Sequence, residues 1–179
     1  MSEEILKSEY LYRGRLLNVR LDQVRLTDDR KPRIVEREIV EHHGAVAVVA
    51  LDEQERVLLV RQFRSAIQRE ILEIPAGTLE IGEDPAKCAV RELKEETGYA
   101  AANWEEIVRL YPCPGYSTEQ MWLYLARQLT ASAAALEDDE SLQVELVPFS
   151  QAVDLIERSE IVDAKTIAAL LRVWKKLKT

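Results

Sequence analysis

Residues 77–99 read GTLEIGEDPAKCAVRELKEETGY, a loop followed by a well-marked helix. Asp84 can accept from the first free helical N–H groups, and Pro85 suits the first helical position, where a missing N–H costs nothing. Gly98 suits a left-handed C-terminal residue. Between these ends Ala86, Ala89, Val90 and Leu93 form a stripe at helical spacing, so the helix must lie against a core. Glu92, Glu95 and Glu96 fall at i, i+3 and i+4 beside that stripe, where like charges repel. Either the face is solvated and neutralised by Lys87, Arg91 and Lys94, or it faces a cation. Gly77 and Gly82 mark points in the loop where backbone comes close to something, and Glu80 and Glu83 add carboxylates beside it. Hard oxygen ligands on a rigid scaffold suit Mg²⁺ or Mn²⁺, which bind carboxylates, water and phosphate oxygens. The residue types therefore point to metal-assisted phosphate chemistry.

Around this segment the pattern is mostly strand. LDQVRL (21–26) and RIVEREIVEH (33–42) alternate, with a turn at TDDRKPR between them. AVAVVALDEQERVLLVRQF (45–63) sets two β-branched runs about a polar turn and predicts a buried hairpin. EILEIPAG (70–77) predicts one short strand ending in a Pro/Gly turn. WEEIVRLY (104–111) and QMWLYLARQL (120–129) predict strands around the loop PCPGYSTE (112–119), and LQVELVPF (142–149) a further one. TASAAALEDDES (130–141) lacks apolar periodicity and predicts a mobile loop. Helices close the chain at 150–158 and 163–177, the second burying Ile167, Leu170, Leu171 and Trp174. The order predicts an α+β fold, a mixed sheet flanked by helices.

Composition excludes other classes. With 179 residues, 47% hydrophobic and 31% charged, the chain can bury the core of one domain. A net charge of -8 argues against nucleic acid or an anionic membrane as partner. It leaves an anionic small substrate open, because a bound metal reverses the local sign. No apolar run approaches the ~20 residues of a membrane span, and the polar start MSEEILKSEY is not that of a signal peptide. Cys88 and Cys113 form no C-x-x-C pair, and two histidines make no zinc constellation, so both cysteines read as reduced side chains of a cytoplasmic protein.

The loop and helix resemble the signature of the Nudix hydrolases, G-x5-E-x7-R-E-U-x-E-E-x-G-U with U aliphatic. Gly77, Glu83, Arg91, Glu92, Leu93, Glu95, Glu96 and Gly98 match it, and Tyr99 departs at the last U. The resemblance implies a Nudix α/β/α sandwich over 44–179 preceded by an N-terminal strand extension, 1–43, that serves dimerisation. It implies Glu92, Glu96 and the Ala76 carbonyl as ligands of Mg²⁺ (or Mn²⁺), with Glu95 a further ligand or water positioner. Arg91 and Glu83 would hold loop and helix together.

VEHHGAVAVVAL (40–51), VRQFR (60–64), EIPAG (73–77) and DAKTIAALL (163–171) are similar to segments of the ADP-ribose pyrophosphatase subfamily, with His43 where Pro is usual. PCPGYSTE fits too, since Pro114 lies 15 residues beyond the end of the signature. On that resemblance the substrate is ADP-ribose, cleaved to AMP and ribose 5-phosphate. The alternatives are another nucleoside diphosphate sugar, such as GDP-mannose, or a non-catalytic module that binds ADP-ribose. Arg64 would contact phosphates, Glu73 substrate or metal, and Gly115, Ser117 and Glu119 the ribose side. Glu140 would be the general base, with Asp138 or Asp139 next. Tyr10, Tyr12 and Trp104 are the candidates to stack on adenine, and a homodimer is expected by analogy.

Overall fold

The computed structural model describes residues 2–27, 33–132 and 142–178. The chain divides into two compact units. One comprises Met1–Gly44 with Tyr111–Gln120, the other Ala45–Leu110 with Met121–Thr179.

The first unit is built on β1 (Ser2–Arg13), β2 (Leu17–Thr27) and β3 (Arg33–His42), an antiparallel meander in that order. Segment 111–120 belongs with it. Val40 donates its N–H to the Tyr116 carbonyl at 2.8 Å and accepts from Thr118 N–H at 2.9 Å. His42 N–H donates to Thr118 Oγ1 at 3.0 Å. Asp22, buried on β2, accepts both contacts of Arg20 Nε at 3.0 Å, and Arg20 also bonds Glu41.

The second unit carries β4 (Ala45–Ala50), β5 (Arg56–Arg64), β6 (Arg69–Glu73), β7 (Ala76–Thr78), α1 (Pro85–Thr97), β8 (Tyr99–Leu110), β9 (Met121–Ala131), β10 (Leu142–Pro148), α2 (Phe149–Glu157) and α3 (Ala164–Leu177). One sheet runs β7-β4-β9-β8, with β4 parallel to β9 and the other pairs antiparallel; a second runs β10-β5-β6. Every residue of β4 is buried, as expected of a strand covered on both faces. Ala45, Ala47 and Val49 join a cluster with Phe149, Ala152, Ala169, Leu170 and Val173 of α2 and α3. Val46, Val48 and Ala50 join Cys88, Ala89 and Leu93 of α1. Helices on both faces of a mixed sheet make the expected α+β sandwich.

Several local expectations are corrected. The hairpin at 45–63 is not formed: β4 and β5 meet only at a Leu51–Val57 bridge, then diverge into different sheets. Strands apolar on both faces accept any partner, so their pattern does not encode which one they take. EILEIPAG is split for the same reason: β6 pairs with β5 and β7 with β4, the chain changing sheets at Ile74–Pro75. Strands β8 and β9 run longer than predicted, and Thr130 and Ala131 belong to β9, not to a loop. Leu171 is 39% exposed, while Thr166, Ala169 and Val173 are buried in its place. On α1, Ala86 and Val90 are exposed, and the buried positions are Cys88, Ala89, Leu93, Glu96 and Thr97. The helix is rolled so that its acidic edge, not its full apolar stripe, turns toward the sheet.

Candidate active site

The start of α1 is fixed as its sequence implies. Asp84 accepts from Ala86 and Lys87 N–H at 3.0 and 3.1 Å, Pro85 opens the helix, and Gly98 closes it at φ 70°. This rigid rod aims its carboxylates at β7. Glu96 is only 4% exposed, and its Oε2 accepts from Ala76 N–H at 2.9 Å. Glu92 lies over Gly77, where an added Cβ would sit 1.9 Å from the Glu92 carboxyl carbon. Gly77 is therefore favoured by close approach, here to the end of a side chain rather than to backbone. Gly82 is not: open space surrounds it, and its φ of +78° is what asks for glycine.

Arg91 organises the cluster. Its Nη1 donates to Glu92 at 2.7 Å and to Glu95 at 3.0 Å, while Nε and Nη2 donate to Glu83 at 3.0 Å each. Glu83 also accepts from Glu80 N–H at 2.9 Å, closing the loop onto the helix. The Arg91 hydrogen bonds pull the Glu83 carboxyl down to about 2, and Glu83 in turn holds Arg91 protonated above its ordinary range. Burial, then the neighbouring carboxylates, pushes the Cys88 thiol up, which leaves it inert rather than nucleophilic. A solvated face is thus excluded for Glu92 and Glu96: the Glu92 side chain is 12% exposed. One guanidinium faces Glu83, Glu92 and Glu95, with Glu96 nearby, so negative charge is in excess.

That excess fits a hard divalent cation. Among the described residues no three acidic, His or Cys side chains enclose an ion by themselves. A cation there would need backbone carbonyl, water and phosphate oxygens to complete its shell, the manner in which Mg²⁺ is commonly held.

A second charged cluster lies on the same unit. Glu73, 1% exposed, accepts from Arg64 Nε at 2.6 Å and Nη2 at 2.8 Å, a bidentate fork, and also bonds Lys165. Burial acts to raise the Glu73 carboxyl, but Arg64 and Lys165 outweigh it and hold it below the usual range. Glu73 therefore faces Arg64 and Lys165 as a buried partner, and Arg64 is the member of the set that reaches the surface.

The remaining candidates fall elsewhere. Gly115, Ser117 and Glu119 belong to the first unit; Gly115 faces open space and Ser117 Oγ accepts from Glu119 N–H at 3.1 Å. Tyr10 and Tyr12 are exposed on β1, and the Arg13 guanidinium covers the Tyr10 ring at 3.7 Å. Trp104 packs edge-on against Tyr124 and donates to the Ala101 carbonyl at 3.0 Å, a place in the core beside α1. Glu140, Asp138 and Asp139 lie outside the described residues. Sequence reasoning passed over Lys165, Asp163 and Thr166. A lysine in the first turn of a helix, where the dipole disfavours cations, was the available signal.

Known proteins resemble this chain over nearly all of its length. Residues 41–170 match the NUDIX domain, and residues 3–34 match the nucleoside diphosphate sugar hydrolase N-terminal domain. The chain is 37% identical over 172 residues to an ADP-ribose pyrophosphatase of Bacillus subtilis (strain 168), covering 95% of this chain and 91% of the relative. It is also 37% identical over 170 residues to a methanol dehydrogenase activator of Bacillus methanolicus, covering 94% and 90%. Among solved structures, one described as an ADP compounds hydrolase superposes with a TM-score of 0.85 at 26% identity, over 99% of this chain and 95% of that one. The chain belongs to the NUDIX domain family.

Proposed function

We propose that this protein hydrolyses the pyrophosphate of ADP-ribose, with Mg²⁺, to AMP and ribose 5-phosphate. The observation that carries the reading is the buried acidic excess on α1. Glu92 and Glu96 are sheltered from water, Glu92 packed over Gly77 and bonded to Arg91, Glu96 bonded to Ala76 N–H, with more carboxylates than guanidiniums around them. The names of the Bacillus subtilis relative and of the solved ADP compounds hydrolase support the substrate.

In this reading Glu92, Glu96, Glu95 and the Ala76 carbonyl hold the cation. When bound, it supplies charge neutralisation along the diphosphate and lowers the pKa of water. Arg91 keeps Glu92 and Glu95 aimed and ionised. Arg64 presents a guanidinium edge to a phosphate, a planar donor suited to that geometry. Glu140 takes the proton from the attacking water, a role assigned from sequence alone. Gly115, Ser117 and Glu119 bind the ribose side. A homodimer built through 1–43 and a cytoplasmic location belong to the same reading. The exposed Ile5, Leu11, Tyr12 and Ile34 of β1 and β3 support the former. Among the described residues no helix is long and apolar enough to cross a membrane.

Incubation with ADP-ribose and Mg²⁺ is expected to release AMP, read by chromatography. A higher kcat/KM on GDP-mannose would reassign the substrate, and binding without AMP under any divalent metal would make the protein a sensor.

A further inference from the structure

The turn that opens α3, Asp163-Ala164-Lys165-Thr166, meets the β6–β7 connection at two adjacent residues. Lys165 Nζ bonds Glu73 Oε2, and Thr166 Oγ1 accepts from Ile74 N–H at 3.0 Å. Asp163 secures the turn itself, accepting from Thr166 N–H at 2.9 Å and from Thr166 Oγ1 at 2.6 Å, with Lys165 Nζ 3.0 Å away. Two residues past Ile74, Ala76 N–H holds Glu96. The same short connection thus carries the partner of Arg64 and the anchor of Glu96.

Lys165 stands against both local physics and hydration. The first turn of a helix disfavours a cation, and a side chain 11% exposed gives up most of its water. Glu73 and Asp163 offset these costs. Exposure rises outward through the set, from Glu73 at 1% and Lys165 at 11% to Arg64 at 39%. Glu73, held from behind, offers both oxygens to the Nε–Nη2 edge of Arg64, so Nη1 takes no part in that fork.

The geometry points to Lys165 as a positioning residue: it anchors Glu73, and the anchored carboxylate fixes the Arg64 guanidinium so that its outer edge meets a phosphate in one orientation. The inference rests on the reading of Arg64 as a phosphate contact. It differs from a direct attraction between Lys165 and substrate, because it acts only through Arg64.

A double-mutant cycle separates the two. In the Mg²⁺-loaded enzyme, Lys165→Met is expected to weaken ADP binding in calorimetry about ten-fold, the scale of coupling in such networks. The KM for ADP-ribose rises in parallel while kcat stays within about two-fold, as for an interaction shared by ground and transition states. Lys165→Arg restores most of the affinity. In an Arg64→Ala background the same Lys165→Met change is expected to shift ADP binding less than about two-fold. An equal factor in both backgrounds, or no loss in the natural one, overturns the proposal. If Lys165→Met does not fold, Lys165→Gln carries the same cycle. A wild-type enzyme that turns over ADP-ribose but gives an additive cycle refutes Lys165 alone. One that neither binds ADP nor turns over ADP-ribose refutes the substrate reading and, with it, the role of Arg64.

Discussion

Two charged clusters in the second unit are built on opposite plans. Around Glu73 the signs balance: Glu73 and Asp163 face Arg64 and Lys165, with every carboxylate bonded to a cation or a helix cap. Around Arg91 they do not: one guanidinium serves Glu83, Glu92 and Glu95, while Glu96 accepts from Ala76 N–H and lies within electrostatic reach of Arg64. A balanced buried cluster holds geometry and is costly to break. An unbalanced one holds repulsion that an added cation would relieve. On the proposed function the first cluster is scaffold and the second does the chemistry, and each side of that contrast can be tested.

The sharpest test removes a charge from the unbalanced side. Glu96→Gln keeps an oxygen to accept from Ala76 N–H but loses the charge that the proposed function gives to the cation. We expect kcat to fall by about 10²–10³, the scale for one electrostatic group in an active site. The melting temperature in EDTA should not fall, because the change lessens like-charge repulsion in the metal-free protein. A collapsed apo melting temperature would place Glu96 in the scaffold and erase the contrast.

A smaller effect follows from moving a charge without deleting it. Gly77→Ala puts a methyl group where the Glu92 carboxylate now lies. The far end of a glutamate can swing aside, so the fold should survive with little change in melting temperature. Displacement of about 1 Å at a catalytic group costs about 10² in rate. Steady-state kinetics checks this, and a variant as active as the wild type would mean the Glu92 position over Gly77 is unimportant.

Much of the unbalanced cluster was legible in the sequence, because it is local. Capping residues, the i, i+3 and i+4 glutamates and the flanking glycines all lie within 77–99, where helical spacing alone sets geometry. The roll of α1 was not legible. Periodicity counted Ala86 and Val90 as core and left Glu96 outside, whereas packing on β7 inverts that choice. Of the balanced cluster only Arg64 and Glu73 were marked, by resemblance; their link to Lys165 was invisible, since Glu73 and Lys165 stand 92 residues apart and Lys165 alone reads as ordinary polar sequence. Strand partners failed for a related reason. Strands β4 and β5 are apolar on both faces, and such strands carry no record of whether a neighbour in sequence or a distant strand will pair with them.

The smallest effect lies where the unbalanced cluster is best neutralised, at Glu83. Its carboxyl sits at about 2 in the folded protein, chiefly through the Arg91 hydrogen bonds, against an ordinary value of about 4.3 in the unfolded chain. A depressed carboxyl stabilises the fold above the unfolded value and loses that contribution as pH falls through the folded one. Glu83→Gln should therefore cost about 2 kcal/mol at pH 7, the range of a hydrogen bond to a charged group. For a chain of this size that is roughly 4–8 °C in melting temperature. The gap between wild type and variant should hold from pH 7 to about 5, narrow below about 4.3 and vanish near 2. A gap independent of pH would show that Glu83 acts through shape rather than charge, and that Arg91 is not restrained by it electrostatically.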